Sequence, residues 1–376
     1  DGDDSQYNIN TFKLGSAKRQ PFSSAVDAAV EKSESVLDDI PDMRFRFNDD
    51  GLPARCKFGG SYITLPEHVL HIDDLALIVY ATHLDGPGGV LAAASICGIR
   101  STEGEDADAL AALGVFAVDE ADIPALQASA GGLVPIMVHE IGHVLGIGTL
   151  WHVKDPVGGM TFDPDTRRHM VSENPFVARG DGRTSFVPRT DAWGSDIAFL
   201  GMKARDAFVN ADGDQSEFTL TGTPIATTGG RGSFGAHWSE RIMDNELMTP
   251  VYNRYESNLF SAITVQSMQD LGYEINSSYV PDPYTVPMPS DSADVGADAN
   301  MIDLSHDVLR IPIDVIGPNG EVEDVIMPPR ASDEEFRLLN LIGRVLSSAQ
   351  VQMEAQRRME LDVVFTTTNN ENDDNR

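Results

Sequence analysis

The chain has 376 residues, 41% of them hydrophobic and 23% charged, the proportions of a folded globular protein long enough for two or three domains or subdomains. With 59 acidic against 27 basic residues the formal net charge is −32, which disfavours nucleic acid and anionic membranes as partners and suits solubility in high salt, calcium binding or a merely soluble secreted protein. No run approaches the ~20 apolar residues that a transmembrane helix needs.

The chain opens Asp1-Gly-Asp-Asp with no basic or apolar leader, which reads as a processed or trimmed mature protein. Residues 1–19 are polar and without period and are expected to form a flexible arm. Val26, Ala29, Val30, Leu37 and Ile40 recur at helical spacing between Pro21 and Pro41, so a first helix is expected there. Met43-Arg-Phe-Arg-Phe47 alternates strictly, the pattern of a half-buried strand. Leu75-Ala-Leu-Ile-Val-Tyr80 reads as a strand buried on both faces, Asp85-Gly-Pro-Gly-Gly89 as a turn, and Val90–Ile96 and Gly114–Val118 as further strands. The chain has two cysteines, Cys56 and Cys97, with no Cys-x-x-Cys spacing. They suit one disulfide of an exported protein or a pair of buried thiols.

Chemistry concentrates in Val134-Pro-Ile-Met-Val-His-Glu-Ile-Gly-His-Val-Leu-Gly146. Gly131-Gly132 ends the preceding segment, Pro135 suits a first helical turn, Gly146 suits a left-handed end, and the apolar residues between them form a surface. On such a helix His139 and His143 lie one turn apart on one face and can aim at one cation, with Glu140 beside it. Two histidines and a neighbouring carboxylate are the parts of a zinc site in which Zn²⁺ keeps one position for water and glutamate serves as base. The compact motif His-Glu-x-x-His-x-x-Gly-x-x-His would place a third ligand at position 149, which is Thr149. The ligand must therefore come from further along. His237, in Gly235-Ala-His-Trp-Ser-Glu240, stands eleven residues before Met248 in Asn245-Glu-Leu-Met-Thr-Pro250. His152, His169 and His306 lie in settings that read as surface or capping histidines, and His68, His71 and His83 show no ligand spacing.

Residues 151–236 are rich in Gly, Pro, Asp and Arg and read as a long-loop insertion. Within it Asn210, Asp212 and Asp214 offer oxygens at alternate positions, as calcium loops do, but Gln215 and Thr221 stand where an EF-hand needs glycine and glutamate. Ser261 to Leu271 is a short helix with a serine cap and Gly272 at its end. Pro281–Pro289 reads as a linker. Val308–Ile316 and Glu321–Ile326 flank Gly317-Pro-Asn-Gly320 as a hairpin, and the capping box Ser332-Asp-Glu-Glu335 opens an amphipathic helix through Met353. Residues 366–376 are Thr-, Asn- and Asp-rich and are expected to be disordered.

The combination of His139-Glu-Ile-Gly-His-Val-Leu-Gly146 and the following Ile-Gly-Thr-Leu-Trp, His237-Trp238, Glu246-Leu-Met-Thr-Pro250, Leu259-Phe-Ser-Ala-Ile-Thr and Asp270-Leu-Gly-Tyr273 resembles the leishmanolysin-type metzincins. In that family a long insertion separates the two helix histidines from the third. The resemblance covers roughly residues 41–279. It implies zinc ligands His139, His143 and His237, general base Glu140, and Met248 as the Met-turn beneath the metal. It also implies an α+β zincin/metzincin fold: a twisted mixed sheet over the active-site helix, then an irregular C-terminal subdomain, here with a C-terminal extension. The expected divisions are a flexible arm over 1–19, catalytic subdomains over 20–150 and 151–280, an extension over 281–365 and a tail over 366–376. In zincins the sheet's edge strand lines the cleft, and an extended peptide adds to it through main-chain hydrogen bonds. Pro53-Ala-Arg-Cys-Lys57 resembles a cysteine switch, which adds a third reading of Cys56, as an inhibitory thiolate on zinc.

The function expected is a secreted zinc metalloendopeptidase acting on protein or peptide substrates, with one catalytic Zn²⁺ and Ca²⁺ as a lesser expectation. A gluzincin with Glu173 or another downstream carboxylate as third ligand stands as one alternative. A non-catalytic zinc-containing adhesion module is another. The sequence assigns neither an oxyanion stabiliser nor an oligomeric state.

Overall fold

The structure is a computed structural model. It describes residues 7–40, 42–44, 55–58, 60–65, 71–101, 110–129, 131–152, 198–199, 201–213, 222–226, 235–287, 301–304, 306–318, 320–327 and 337–350. A six-stranded mixed sheet is made by β1 (Ile9–Gly15), β2 (Leu75–Thr82), β3 (Ala92–Arg100), β4 (Ala111–Asp119), β5 (Ile313–Ile316) and β6 (Val322–Ile326), in the spatial order β1-β2-β4-β3-β5-β6. Pairing is parallel for β1/β2 and β2/β4, antiparallel for β4/β3, parallel for β3/β5 and antiparallel for β5/β6.

Strands β2, β3 and β4 are apolar on successive residues because both faces of the sheet are covered. Leu77 and Val79 of β2 pack with Phe116 and Val118 of β4 against two helices, α1 (Phe22–Glu34) and α2 (Val134–Leu145). Ile78 and Tyr80 face the other way, joined by Val115 and Ala117. That second face is covered by the antiparallel pair Arg55–Phe58 and Ser61–Thr64 and by a helix over residues 337–350 carrying Leu339, Ile342 and Leu346. Cys56 and Cys97 form a disulfide, with Cα atoms 4.9 Å apart, that ties this hairpin to β3. The cysteine-switch reading of Cys56 fails, because its sulfur is bonded to Cys97.

Two expectations need correction. Residues 1–19 are not a free arm throughout: Ile9–Gly15 pairs in parallel with Leu75–Ala81. Its polar residues are satisfied at the sheet edge, where Asn10 accepts from the Asp73 amide at 2.9 Å and Lys13 bonds Ser23 and Asp27. The hairpin of the C-terminal extension stands as read, Ile313–Ile316 pairing with Val322–Ile326, and it joins the main sheet with β5 directly beside β3. The first helix is shorter than its apolar spacing implied, ending at Glu34. Of the Met43–Phe47 strand, Met43–Arg44 pairs with His71–Ile72. Residues 45–47, the capping box at 332–335 and the tail at 366–376 lie outside the described residues.

Two further helices, α3 (Met202–Asn210) and α4 (Ala262–Asp270), pack on one another. Ser261 caps α4 by accepting from the amides of Ile263 and Thr264, and Asp270 at its far end accepts from the first-turn amides of Lys203 and Ala204 in α3. The helix N-terminus offers free N–H groups, and a carboxylate there satisfies two of them at once.

Candidate metal centre

Helix α2 starts at Val134 with Pro135 in its first turn and ends at Gly146, whose φ of 119° is left-handed. Its end is closed by Ile147 donating to the Gly142 carbonyl at 3.0 Å and by the Thr149 hydroxyl donating to the His143 carbonyl at 2.6 Å. The residue in the compact motif's histidine position thus caps the helix instead. Beyond it the chain turns at Gly148, φ 75°, where a Cβ would lie 1.9 Å from the Ala236 carbonyl oxygen. That approach brings the far end of the insertion against the helix terminus and sets His237 beside His143. Trp151, Phe199 and Trp238 hold the junction, with ring centroids 4.6 Å apart for the two indoles and 5.0 Å for Trp151 and Phe199.

His139, His143 and His237 are all fully buried and converge. Their Nε2 atoms are 3.0 Å apart for His139/His143, 3.0 Å for His143/His237 and 3.3 Å for His237/His139. Nδ1 of His139 donates to the Leu247 carbonyl at 2.6 Å, and Nδ1 of His143 to the Ile147 carbonyl at 2.8 Å. A ring that donates from Nδ1 presents a lone pair at Nε2, the form that ligates a metal. Burial pushes the His143 imidazolium down to about 4, so its neutral form holds at ordinary pH. Tetrahedral zinc with metal–nitrogen bonds of about 2.0–2.1 Å needs ligand atoms about 3.3–3.4 Å apart. The triangle of nitrogens is close to that, and the donor set fits zinc.

A fourth donor enters that the sequence reading did not name. Asp307 Oδ2 lies 3.0 Å from His139 Nε2, 3.1 Å from His237 Nε2 and 3.6 Å from His143 Nε2. Burial opposes its charge, but His237, His139 and His143 outweigh it and hold the carboxyl well below the usual carboxylate range. These four side chains are the donors that could hold one ion. Nothing local in Ser305-His306-Asp307-Val308 signals a ligand; the residue is 164 positions from His143 and is brought to it by pairing with β3 and with Val251–Asn253. Glu140, next to His139, is fully buried, and its two carboxylate oxygens accept no hydrogen bond among the described residues. Burial, with the Asp307 charge adding to it, raises its carboxyl well above the ordinary range.

Beneath the histidines Met248 packs against the helix, its sulfur 2.8 Å from where a Cβ on Gly142 would stand. The turn carrying it is tied down by the buried Glu246. One Glu246 oxygen accepts from the Met248 amide at 2.6 Å, and the other accepts from Ser261 Oγ at 2.6 Å and from Thr264 Oγ1. The Met248 carbonyl in turn accepts from the Trp238 amide at 3.0 Å, next to His237.

Among the described residues, no other candidate joins this cluster. His83 is exposed, with Nδ1 3.9 Å from Asp119, and His306 is exposed one residue before Asp307. His152 ends a short turn at Leu150–His152, His71 lies in a two-residue strand, and His68, His169 and Glu173 lie outside the described residues. Asn210 ends α3, and Asp212 has φ 64° in the turn after it, while Asp214 lies outside the described residues. Asp212 joins no metal-capable group among the described residues, so calcium finds no support.

The profile of the leishmanolysin peptidases matches residues 209–280, the stretch holding His237 and Met248. A mouse protein, ciliated left-right organizer metallopeptidase, is 25% identical over 256 residues, covering 66% of this chain and 32% of the relative. The chain thus spans about a third of that relative's length. No helix among the described residues is long and apolar enough to cross a membrane.

Proposed function

We propose that this chain, which is similar to the leishmanolysin peptidases over residues 209–280 and to a mouse metallopeptidase over 66% of its length, is an exported zinc metalloendopeptidase with an α+β metzincin fold. In this reading His139, His143 and His237 are the zinc ligands, Glu140 is the general base and Met248 is the Met-turn. The observation that carries it is the convergence of three buried Nε2 atoms within 3.3 Å beside an unpaired buried glutamate. A purely structural site has no use for such a base. Burying a carboxylate without partners is costly, and the cost is intelligible where that group handles a proton.

Zinc, when bound, supplies a Lewis acid that acidifies water and polarises a scissile carbonyl. The chain's own residues do the rest. Glu140 Oε accepts a proton from the attacking water and returns it to the departing amide nitrogen, so no acyl-enzyme forms. His139 is fixed by Leu247 and His143 by Ile147, which limits reorganisation during the reaction. The disulfide suits an oxidising compartment, which supports export.

The test is Glu140→Gln, assayed for zinc content and for cleavage of casein. The expected outcome is about one zinc per chain in both proteins and loss of cleavage by two orders of magnitude or more in the variant. Cleavage that survives the substitution would sink the assignment of the base. A chain that binds no zinc when supplied with it sinks the whole reading.

A further inference from the structure

The segment that supplies Asp307 does more than add a donor. Met301–Asp303 pairs antiparallel with Val251–Asn253, just past the Met248 turn, and the Leu304 amide donates to the Pro250 carbonyl at 2.9 Å. Asp307 and Leu309 then bracket Ala94 of β3: the Ala94 amide donates to the Asp307 carbonyl at 2.6 Å, and the Leu309 amide donates to the Ala94 carbonyl at 2.9 Å. Ser95 Oγ donates to the Leu309 carbonyl at 2.7 Å. Residues 301–304 are thus tied to the Met248 turn and residues 306–309 to β3, with the Asp307 side chain reaching the three histidines.

Two requirements of the proposed reaction are met here by the chain itself. A catalytic zinc has three protein ligands and keeps one position for water or substrate, whereas four protein ligands close it. An extended peptide needs a free strand edge for its main-chain hydrogen bonds, and the Ala94 amide and carbonyl are already paired. We propose that residues 301–309 are an autoinhibitory strap: Asp307 fills the fourth ligand position, and the strap holds the peptide's place on β3, so the chain in this conformation is latent. Activation then requires the strap to leave Ala94 and Asp307 to leave the histidines. The affinity of anything seeking the site falls by the fraction of molecules in which the strap is displaced. This inference rests on the peptidase reading for its biological sense, but its central claim concerns ligands and can fail separately.

The experiment compares the full zinc-loaded chain with Asp307→Ala and Asp307→Asn, the second of nearly unchanged volume. Zinc content is measured first, then the affinity of a small peptide hydroxamate by calorimetry, then casein cleavage. Expected is full zinc in all three proteins and hydroxamate binding tighter by about tenfold or more in both variants. Cleavage rising in parallel supports the strap and the peptidase together. Tighter hydroxamate with no cleavage upholds the strap and overturns the peptidase reading. Equal hydroxamate affinity in the wild type and the variants overturns the strap, whatever the cleavage. Loss of zinc from a variant that still melts cooperatively also overturns it, since Asp307 would then be a permanent structural ligand. Should the Ala variant fail to fold, the Asn variant decides alone.

Discussion

Glu246 shows how a single residue sets the site from behind. Its carboxyl is buried, receives the Met248 amide, the Ser261 hydroxyl and amide and the Thr264 hydroxyl, and links the Met248 turn to the start of α4. Burial raises its affinity for protons although these bonds oppose the shift. Removing the carboxyl strands several buried donors, each of which costs free energy when left without a partner. Glu246→Ala is therefore expected to lose about 2–4 kcal/mol of stability and to weaken zinc binding, because the next carbonyl, that of Leu247, orients His139. Thermal melts with and without zinc check it; a variant as stable as the wild type and with unchanged zinc affinity would show that the turn is held by other contacts. The sequence contained Glu246 within a recognisable stretch, but its partners are 15 and 18 residues away, beyond what a local pattern reveals.

At the scale of elements, the junction of α2 with the end of the insertion is the fragile point. Gly148 has a left-handed φ of 75° and no room for a Cβ, the nearest atom being the Ala236 carbonyl oxygen at 1.9 Å. Gly132, φ 70°, at the other end of the helix has nothing within 4 Å of its Cβ position. Alanine at either site bears the left-handed strain, about 1 kcal/mol or somewhat more. At position 148 it must also displace the segment that carries His237. Gly148→Ala is expected to lower zinc affinity by about tenfold or more, roughly 1.4 kcal/mol, while Gly132→Ala leaves it unchanged. Titration with a competing chelator measures both, and equal affinities would show that His237 is positioned by the Trp151–Trp238 contact alone. Local elements were legible wherever one turn or one strand carries the whole signal. The spacing of His139 and His143, Gly146 as left-handed end and Ser261 as cap are all one-turn features, and each stands in the structure as read. Strand Ile9–Gly15 was not legible because an edge strand with one polar side carries little apolar pattern. Asp307 was not legible because it reaches the histidines through long-range pairing, with Ala94, 213 positions earlier in sequence, and through the neighbouring Met301–Asp303 with Val251–Asn253.

For the whole molecule, the excess of carboxylates governs how stability depends on pH. The net charge of −32 makes the folded state self-repelling, and several carboxyls are buried besides. Burial raises the Glu240 carboxyl to about 8 and the Asp74 carboxyl to about 6. In the unfolded chain these groups titrate near 4.3 and 3.9. Between the two limits the folded protein binds more protons than the unfolded chain, so stability falls as pH rises. Glu240's contribution is complete below about 4.3 and is lost as pH passes through about 8, and that of Asp74 is lost by about 6. Asp119 works in the opposite direction. Burial opposes its charge, but the amides of Ala121, Asp85, Gly86 and Leu84 outweigh it and lower the carboxyl, so its stabilisation is present at neutral pH and lost only in acid. The melting temperature is therefore expected to decline from pH 5 to pH 8.5, and salt to recover part of the loss by screening the surface charge. Glu240→Gln removes the buried titrating group while keeping its shape, and the decline between pH 6 and 8.5 should flatten in that variant. If the two proteins melt with the same pH slope, the Glu240 side chain reaches water and the decline belongs to the surface charge alone.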